Sequence, residues 1–587
     1  MPLKQATLNG TKRKSSPPLD VSVKRRKSDE AGFKDSTSEE QYNIVDRQFY
    51  PPEMANERCA QYNTNRIQRP MQTLNKAQQE TEGERDSIDV NHAVVHWFKC
   101  DLRTYDNKSL YLASKLAKSH GVPLICLHIV SPQDYKAHMT SPVRVDFALR
   151  TLEVLKDDLA KLDIPLYTEV VEERRAIPDR ILDLCDGWGA SHIFCNIEYE
   201  VDELRREALM TRKGLERGIA VTAVHDTCVV APGELSSGTG GQYAVYSPWY
   251  RAWVAYIHRH PQQLQTFDTP SPNPASSRQD FKDIFDSNIP EAPENKRLTK
   301  EEKTRFRSMW PPGEHEAHER LDKFLKEKVE KYKDTRNFPA VNTTAMLSVH
   351  FSSGTLSART AVARARDANT TNALDGGHVG IKGWISEIAW RDFYKHVLVN
   401  WPYVCMNKPF KPEYTNIRWE YDEALFQKWC TGQTGFPFID AAMRQLNHMG
   451  YMHNRARMGV ASFLAKDLLI DWRRGERYFM EHLIDGDFAS NNGGWGFSAS
   501  TGVDPQPYFR IFNPHLQSEK FDPDGEYIRK WVPELANVRG KAIHDPYERG
   551  SEREAKKNGY PKACVEHKAS RARALARYKE GLGRDKA

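Results

Sequence analysis

One segment of the chain brings together an acid, a cation and several large rings: WISEIAWRDFYKH, at positions 384–396. On a helix, side chains three, four and seven positions apart share one face. Here that face carries Glu387, Trp390, Arg391 and Tyr394. A face of this composition suits a planar, polar and partly anionic ligand. The alternative is an amphipathic helix whose rings are core residues and whose charges pair with each other.

Two further groups have side chains suited to ligand binding. HNRARM, at 453–458, places Arg455 and Arg457 on either side of a small residue, and arginine pairs of this kind bind phosphates. DGDFASNNGGWGF, at 485–497, has two carboxylates followed by amides and glycines, which is typical of a tight loop close to a ligand. The alternatives are a solvated helix face and a turn-rich connection between helices.

Several kinds of chemistry are not expected. The sequence has no GxSxG, HExxH or P-loop motif, and the spacing at 485–497 fails the EF-hand pattern for calcium. Nine cysteines include no CxxC pair, so we expect neither disulfides nor a metal site, and a reducing compartment fits. An enzyme built from these residues would take its reactivity from a cofactor.

The elements that position these groups follow from the apolar pattern. Short apolar runs lie at 93–98, 123–130, 164–171, 192–197 and 219–230, with helical stretches between them. Strand–helix alternation predicts a doubly wound parallel sheet, so residues 92–230 form an α/β domain. Helical spacing continues over 316–570, which predicts an all-α domain. The Gly-, Ser- and Pro-rich stretch 231–315 is predicted to be a surface connector.

The ends of the chain differ from its centre. Residues 1–91 are polar, without a sustained apolar period, and are predicted to be disordered; residues 571–587 form a C-terminal tail. The chain has a net charge of +6, and residues 1–27 alone carry +7, so the rest of the chain sums to −1. Their two basic clusters, at 12–14 and 24–27, look like a bipartite nuclear import signal, although a solvated basic tail is the alternative. No apolar run is long enough to span a membrane, so no membrane partner is expected.

The three groups, in this order, closely resemble the DNA photolyase/cryptochrome family. The resemblance covers about residues 92–570 and rests on the segments at 384–396, 435–479 and 482–514, with HWFKCDLRTYDN (96–107) similar to the family's opening strand. It implies an α/β antenna domain, a connector and a helical domain that holds FAD. It also implies a monomer that binds UV-damaged DNA and flips the damaged base pair into a cavity.

The resemblance assigns FAD contacts residue by residue. The phosphate and ribityl side would be held by Tyr332, Thr344, Ala345, Met346, Leu347 and Ser348. The pocket and the ring edges would be lined by Trp384, Glu387, Arg391, Asn454, Asp485, Gly486, Asp487 and Asn491. Three tryptophans match the family's electron-transfer chain from the surface to the flavin: Trp419, Trp472 and Trp495. Their alternative role is that of ordinary core aromatics.

The lesion is argued from two positions. Photolyases for the (6-4) photoproduct have proton-transferring histidines where this chain has Asn454 and Met458, and neither of these side chains transfers a proton at neutral pH. Splitting a cyclobutane pyrimidine dimer needs no net proton transfer. We therefore expect light-dependent repair of that dimer, with Glu387 and Asn454 hydrogen-bonded to it, Met458 in apolar contact and Asn491 facing the flavin.

The same resemblance implies a DNA-binding face. Its predicted members are Arg336, Trp390, Arg455, Arg457, Phe497 and Arg510. Some family members have tryptophan where this chain has Phe497, and we expect binding of the dimer to be retained. The alternative class is a flavin photoreceptor without repair activity. Asn491, which favours the reduced anionic flavin, and the short C-terminal end both favour repair.

The antenna chromophore is less sharply defined by the sequence. Four residues fall where folate-binding members contact methenyltetrahydrofolate: His138, Asp202, Glu203 and Cys405. The lysine that follows this cysteine in some folate binders is Met406 here, and a deazaflavin is the alternative. The nucleus is the expected location, and a second, mitochondrial product from a downstream start such as Met54 is left open.

Overall fold

The computed structural model describes residues 56–238 and 240–584. Its N-terminal domain contains one sheet of five parallel strands in the order β3-β2-β1-β4-β5. The strands are β1 (Ala93–Phe98), β2 (Leu124–Val130), β3 (Leu166–Val170), β4 (Ala190–Asn196) and β5 (Ala220–Val224). The central strand is buried along its whole length, as expected for a parallel sheet covered on both faces. The predicted doubly wound fold is therefore confirmed.

Helices connect the strands and cover both faces of the sheet. All helices up to residue 286, in chain order, are Asn56–Asn63, Pro70–Glu80, Glu82–Asp86, Lys108–His120, Pro132–Ala137, Pro142–Ala160, Ile177–Gly187, Val201–Glu216, Tyr246–Arg259, Ser277–Asp280 and Lys282–Asp286. The leucines of Pro142–Ala160 pack on one face of the sheet, and Ile177–Gly187 packs on the other.

The rest of the described chain is helical, which confirms the predicted all-α domain. Its helices are Lys300–Met309, Glu314–Glu327, Tyr332–Thr335, Ser348–Ser353, Ala358–Asp367, Val379–Asn400, Glu423–Thr431, Pro437–Met449, Asn454–Ser462, Trp472–His482, Phe488–Ala499, Pro514–Phe521, Glu526–Trp531, Glu552–Lys557 and His567–Gly581. A short π-helix spans Phe463–Asp467. No helix among the described residues is both long enough and apolar enough to cross a membrane.

The two domains are joined by a buried charge network. Arg359 of the helical domain donates to Asp106 and Asp226 of the α/β domain, at 2.8 and 2.6 Å. All three side chains are at most 7% exposed. Buried charges of this kind require full pairing, so the network holds the sheet and the helical domain in one arrangement.

The disorder predicted for residues 1–91 is wrong over residues 56–86. These residues form three helices, and Met71, Leu74 and Ala77 are buried against the end of β4 and the helix Val201–Glu216. The Arg69 side chain also donates to the Asn400 carbonyl of the helical domain, at 2.8 Å. The buried apolar face consists of only three residues in a polar segment, so the composition of the segment did not indicate a helix that packs on the core. The two basic clusters of the predicted import signal lie outside the described residues.

Two other predicted segments are more ordered than expected. The connector contains the helix Tyr246–Arg259, named here the connector helix, whose Trp249 and Trp253 are completely buried. The predicted C-terminal tail begins inside the helix His567–Gly581, which buries Tyr578. Both segments supply large side chains to the helical domain and do not simply cross its surface.

Candidate functional site

The segment 384–396 lies, as predicted, on one long helix, Val379–Asn400, named here the site helix. Its Ile385, Ile388 and Phe393 are buried in the core. The four residues predicted to share a face are all half-buried, so this face is neither core nor fully exposed to solvent; they are Glu387, Trp390, Arg391 and Tyr394. The predicted shared face is therefore present as the open face of the site helix, and the space that it borders is named here the cleft.

Two carboxylates from the loop at 485–487 face this cleft, and each binds a cation. Asp487 accepts from Lys395 of the site helix at 3.0 Å, and it also caps the helix Phe488–Ala499 through the Ser490 backbone. Burial alone would raise the pKa of Asp487, but Lys395 and Arg391 outweigh burial and hold this pKa well below its usual range. Asp487 is therefore a permanent anion.

The second carboxylate, Asp485, binds Arg457 through both oxygens, at 3.0 and 2.8 Å. Arg457 also donates to the Met452 carbonyl at 2.7 Å. Its guanidinium is thus directed at a carboxylate of the cleft, which differs from the phosphate-binding role expected from the sequence. Arg457 instead fixes the position of Asp485.

The opposite wall comes from the segment before the helix Ser348–Ser353. Arg391 reaches this helix and lies 5.9 Å from the Phe351 ring. Thr344 interacts with the phenol of Tyr451, and Leu347 is buried whereas Ser348 is exposed. Met346 has a φ of 51°, which turns the chain sharply ahead of the helix. The wall therefore contains five of the six residues predicted for the phosphate and ribityl side, Thr344 to Ser348, whereas Tyr332 lies elsewhere.

The donor set of this cleft fits FAD. The Arg391 Nε and the Thr343 hydroxyl are among the buried side-chain atoms of the described residues that have no hydrogen-bond partner. Buried polar atoms are nearly always paired in folded proteins, so these two are candidate donors to a ligand bound in the cleft. Tyr332 and Trp384, both predicted FAD contacts, are buried around Phe324 at the base of the cleft.

Asn491 is held by a buried glutamate from a neighbouring helix. The Asn491 amide donates to the Glu476 backbone carbonyl at 2.9 Å, and the Asn492 amide donates to the Glu476 carboxyl at 2.9 Å. Burial raises the pKa of Glu476 to about 7. With its amide nitrogen engaged, Asn491 has a defined orientation, and its carbonyl oxygen remains available as an acceptor.

The three predicted electron-transfer tryptophans belong to one hydrophobic cluster, with Trp495 and Trp472 in its interior and Trp419 packed against its border. Trp495 is 2% exposed and Trp472 is 4% exposed, whereas Trp419 is half-buried. Trp495 contacts Phe479 edge-on at 5.1 Å. Trp419 packs against Tyr578 at 5.9 Å, so the C-terminal helix borders the outer end of the series.

Two predicted DNA-binding arginines, Arg336 and Arg455, lie next to Glu387, and the space between these three residues is named here the mouth of the cleft. Arg336 binds the Glu387 carboxylate, and Arg455 donates to the Asn337 side chain at 2.7 Å. Asn454 and Arg510 are exposed, whereas Met458 and Phe497 are half-buried. Phe509, beside Arg510, is 60% exposed. The predicted DNA-binding residues are thus accessible, and two of them, Arg336 and Arg455, lie beside Glu387.

The predicted antenna residues also meet, at the carboxyl end of the sheet. His138 binds Glu203 at 2.9 Å, and Arg174 binds both Asp202 and Glu203. Cys405 is buried beside the start of the helix Val201–Glu216. Burial would lower the pKa of His138, but Glu203 outweighs burial and raises this pKa to about 9.

One cluster in this region has the residue types of a metal site. Within the described part of the chain, Asp134, His138 and Glu203 bring ligand atoms within 4.8 Å of one another. Arg174 and Arg206 already bind these carboxylates, at 2.7 and 3.3 Å for Asp134. Two guanidiniums supply the positive charge that a metal ion would bring, so the cluster is an ion-pair network.

Three residues of the site were missed by the sequence analysis. Thr343 directly precedes the predicted segment 344–348. Lys395 lies four positions after Arg391, so the helical period could have placed it beside the predicted face. Tyr246 stacks on Trp390, with ring centroids 3.5 Å apart and planes 8° apart. Nothing in the sequence pattern of the connector indicated this contact.

Comparisons with known proteins agree with the fold and the cleft. Residues 94–274 match a family model described as DNA photolyase, and residues 384–580 match the FAD binding domain of DNA photolyase. A deoxyribodipyrimidine photo-lyase of Neurospora crassa is 61% identical over 94% of this chain and 92% of its own length. The mitochondrial deoxyribodipyrimidine photo-lyase of Saccharomyces cerevisiae is 34% identical over 92% of this chain and 96% of its own.

A solved structure supports the same assignment. The crystal structure of a class III photolyase from Agrobacterium tumefaciens superposes with a TM-score of 0.72 at 32% identity, covering 85% of this chain and 99% of that one. The family models cover both domains, and the relatives match nearly the whole chain. The chain therefore belongs to the DNA photolyase family.

Proposed function

We propose that this protein uses light to repair cyclobutane pyrimidine dimers in DNA. The observation that carries the proposal is the site helix, whose open face places the cofactor-facing Arg391 next to Glu387 and Trp390 at the mouth. Bound FAD, as the reduced anion, supplies a single electron when near-UV or blue light excites it, directly or through an antenna chromophore. The residues around it hold the cofactor and the flipped dimer in contact.

The chain's own groups would hold FAD at three places. Lys395 and Arg391 keep Asp487 ionised so that it can accept hydrogen bonds at one edge of the cofactor. Asp485, oriented by Arg457, acts beside it. On the opposite wall of the cleft, the unpaired donors, the Arg391 Nε and the Thr343 hydroxyl, would donate hydrogen bonds to oxygen atoms of the cofactor.

The groups at the mouth would bind the dimer without moving protons. Glu387 and Asn454 are hydrogen-bonding groups, and Met458 is a soft apolar contact. The dimer accepts one electron, both bonds between its two pyrimidines break, and the electron returns. No proton is gained or lost in this sequence, so the absence of a titratable side chain at positions 454 and 458 suits it.

The three tryptophans would return oxidised cofactor to the reduced state. Trp495, Trp472 and Trp419 become less buried in that order, which suits electron movement from solvent to the cleft. Indole rings need no covalent change to pass an electron. This role is separate from repair, because repair itself returns its electron.

We further infer an antenna chromophore near His138, Asp202, Glu203 and Cys405. The ring of charges there suits the polar edge and glutamate tail of methenyltetrahydrofolate, and a deazaflavin is the alternative. We also propose a monomer that enters the nucleus through the basic clusters at 12–14 and 24–27. The mitochondrial relative from Saccharomyces cerevisiae keeps a mitochondrial product open.

The test uses purified holoenzyme, reduced and mixed with an oligonucleotide that contains one cyclobutane thymine dimer. We expect near-UV or blue light to restore the monomer absorbance, with no change in the dark or with a (6-4) photoproduct. A flavin-loaded protein that binds the dimer oligonucleotide but leaves the dimer intact under light would indicate a photoreceptor instead. Chromophores released from the same sample identify the antenna.

A further inference from the structure

The connector helix is attached to the site helix by three rings from one of its faces. Tyr246 donates its hydroxyl to the Ser386 carbonyl at 2.8 Å. Trp249 donates to His396 at 3.3 Å, and Trp253 donates to Asp392 at 3.2 Å. The spacing of three and four residues puts the rings on one face. The connector helix is thus aligned with the site helix at three points.

Tyr246 is the ring of this face that reaches the cleft. It lies parallel to Trp390, with a centroid distance of 3.5 Å and an interplanar angle of 8°. Behind it, Tyr250 stacks at 5.6 Å and 18°, and Trp253 stacks on Tyr250 at 6.1 Å and 18°. The four rings form a ladder that starts in the core and ends at Trp390.

The backbone of Tyr246 is also anchored. Its N–H donates to the Asp504 carboxylate at 3.0 Å, from the loop that follows the helix Phe488–Ala499. With its hydroxyl and its backbone hydrogen-bonded and its ring in contact with several others, Tyr246 is 7% exposed and has little freedom to move. A plane fixed in this way can orient a second ring laid on it.

Trp390 needs such an orientation because it is not itself a core residue. It is half-buried, and Tyr246 covers one of its faces in parallel contact. Phe393 meets the indole edge-on at 5.6 Å and Tyr394 is tilted against it at 5.5 Å. Without Tyr246, the indole would lose its parallel contact and would be restrained by these two rings at an angle, which leaves its plane less well defined.

We propose that Tyr246 is a positioning residue for the substrate: it sets the plane of Trp390, on which the flipped pyrimidine pair stacks. This inference rests on the proposed function, since it takes Trp390 to be the stacking surface for the dimer. Stacking of bases on aromatic rings is sequence-tolerant and sensitive to ring orientation. The plane of Trp390 thus depends on Tyr246 of the connector helix, which lies outside the three sequence groups that supply the other site residues.

The experiment compares Tyr246→Leu, Tyr246→Phe and wild-type holoenzyme. Leucine fills the space without a parallel ring, whereas phenylalanine keeps the ring and loses only the hydroxyl. Tyr256→Leu is the matched control, because Tyr256 lies on the same helix but donates to Glu234 instead of contacting the site helix. Each variant is assayed in the dark for Kd with dimer-containing and undamaged oligonucleotides, and for FAD content.

We expect Tyr246→Leu to bind dimer DNA about tenfold more weakly, within the range for loss of one base–aromatic contact. Its affinity for undamaged DNA and its FAD content should not change, and the splitting yield per photon at saturating DNA should remain. Tyr246→Phe and the control should lie within about twofold of wild type. Wild-type affinity in Tyr246→Leu, or equal losses for both DNAs, would overturn the proposal.

A second measurement does not depend on the substrate. The crystal structure of Tyr246→Leu should show Trp390 in a different rotamer or in several. An unmoved Trp390 ring would refute the positioning role even if DNA binding had changed. Conversely, if wild-type protein shows no preference for dimer DNA, the proposed function fails, while the rotamer result still reports on Tyr246.

Discussion

Arg336 and Glu387 are paired across the mouth of the cleft, with the guanidinium donating to the carboxylate and each side chain 35% exposed. A pair this exposed is screened by solvent and contributes little to stability. It can therefore open when DNA enters, with Arg336 released towards a phosphate and Glu387 towards a pyrimidine. The free protein thus keeps both groups oriented at little cost in stability.

This relationship leads to a prediction for Glu387→Gln. Because hydrogen bonds to charged groups are worth about 1.5–3 kcal/mol, the Kd for dimer-containing DNA should rise about tenfold or more. The FAD content should be retained, because Asp485, Asp487 and Arg391 hold the cofactor in this account. Glu319→Gln, at an exposed site elsewhere, is the control. Loss of FAD from Glu387→Gln would show that the role assigned to this residue is wrong.

Trp419→Phe should separate photoreduction from repair. Replacing the half-buried outer tryptophan removes the surface end of the aromatic series, so oxidised holoenzyme under light with an external reductant should no longer become reduced. Chemically reduced enzyme should repair dimers at the wild-type yield. Trp531→Phe, a half-buried tryptophan beside His448, is the control. The visible absorption spectrum checks the first result; undiminished photoreduction would remove Trp419 from the series.

Arg359→Met should destabilise the junction of the two domains. It would remove the cation bound to Asp106 and leave Asp226 paired with Arg103 alone, and breaking a buried pair costs about 3–5 kcal/mol. Arg366→Met lies on the same helix, but its partner Asp367 is 64% exposed, so the loss should stay below about 1 kcal/mol. Urea unfolding of both variants measures the difference. Equal losses would mean that the buried network does not hold the domains together.

Glu476→Gln should alter how stability depends on pH. The pKa of Glu476 is raised by burial from 4.5 to about 7, so the folded state binds its proton more tightly than the unfolded state. The contribution of Glu476 to the free energy of unfolding is therefore complete below about pH 4.5. It falls by about 1.4 kcal/mol per pH unit up to the pKa of the folded state. Above pH 7 the loss should be about 3 kcal/mol.

The glutamine variant removes this loss while keeping an acceptor for Asn492. Relative to wild type, it should gain little free energy of unfolding at pH 5 and about 3 kcal/mol at pH 8. Glu481→Gln, on the same helix with its side chain 37% exposed, controls for the replacement of a glutamate there. A difference between the two variants that is the same at pH 5 and pH 8 would contradict the prediction.

The sequence by itself determined the layers of the fold and one face of the site. Apolar runs alternating with helical periods are a local signal, and they predicted the parallel sheet and the helical domain correctly. The same period placed Glu387, Trp390 and Arg391 together, because the geometry of one helix settles which of its residues share a face. The family motifs then indicated FAD and DNA.

Only the tertiary structure decided which distant groups meet. Tyr246 reaches Trp390 from the connector, Arg457 turns to Asp485, and Met71 covers the end of the sheet from a segment predicted to be disordered. A sequence pattern reports that a face is apolar or that a residue is charged, but not which partner it finds. Partners 28 to more than 140 residues apart are chosen by packing and charge pairing in the folded chain.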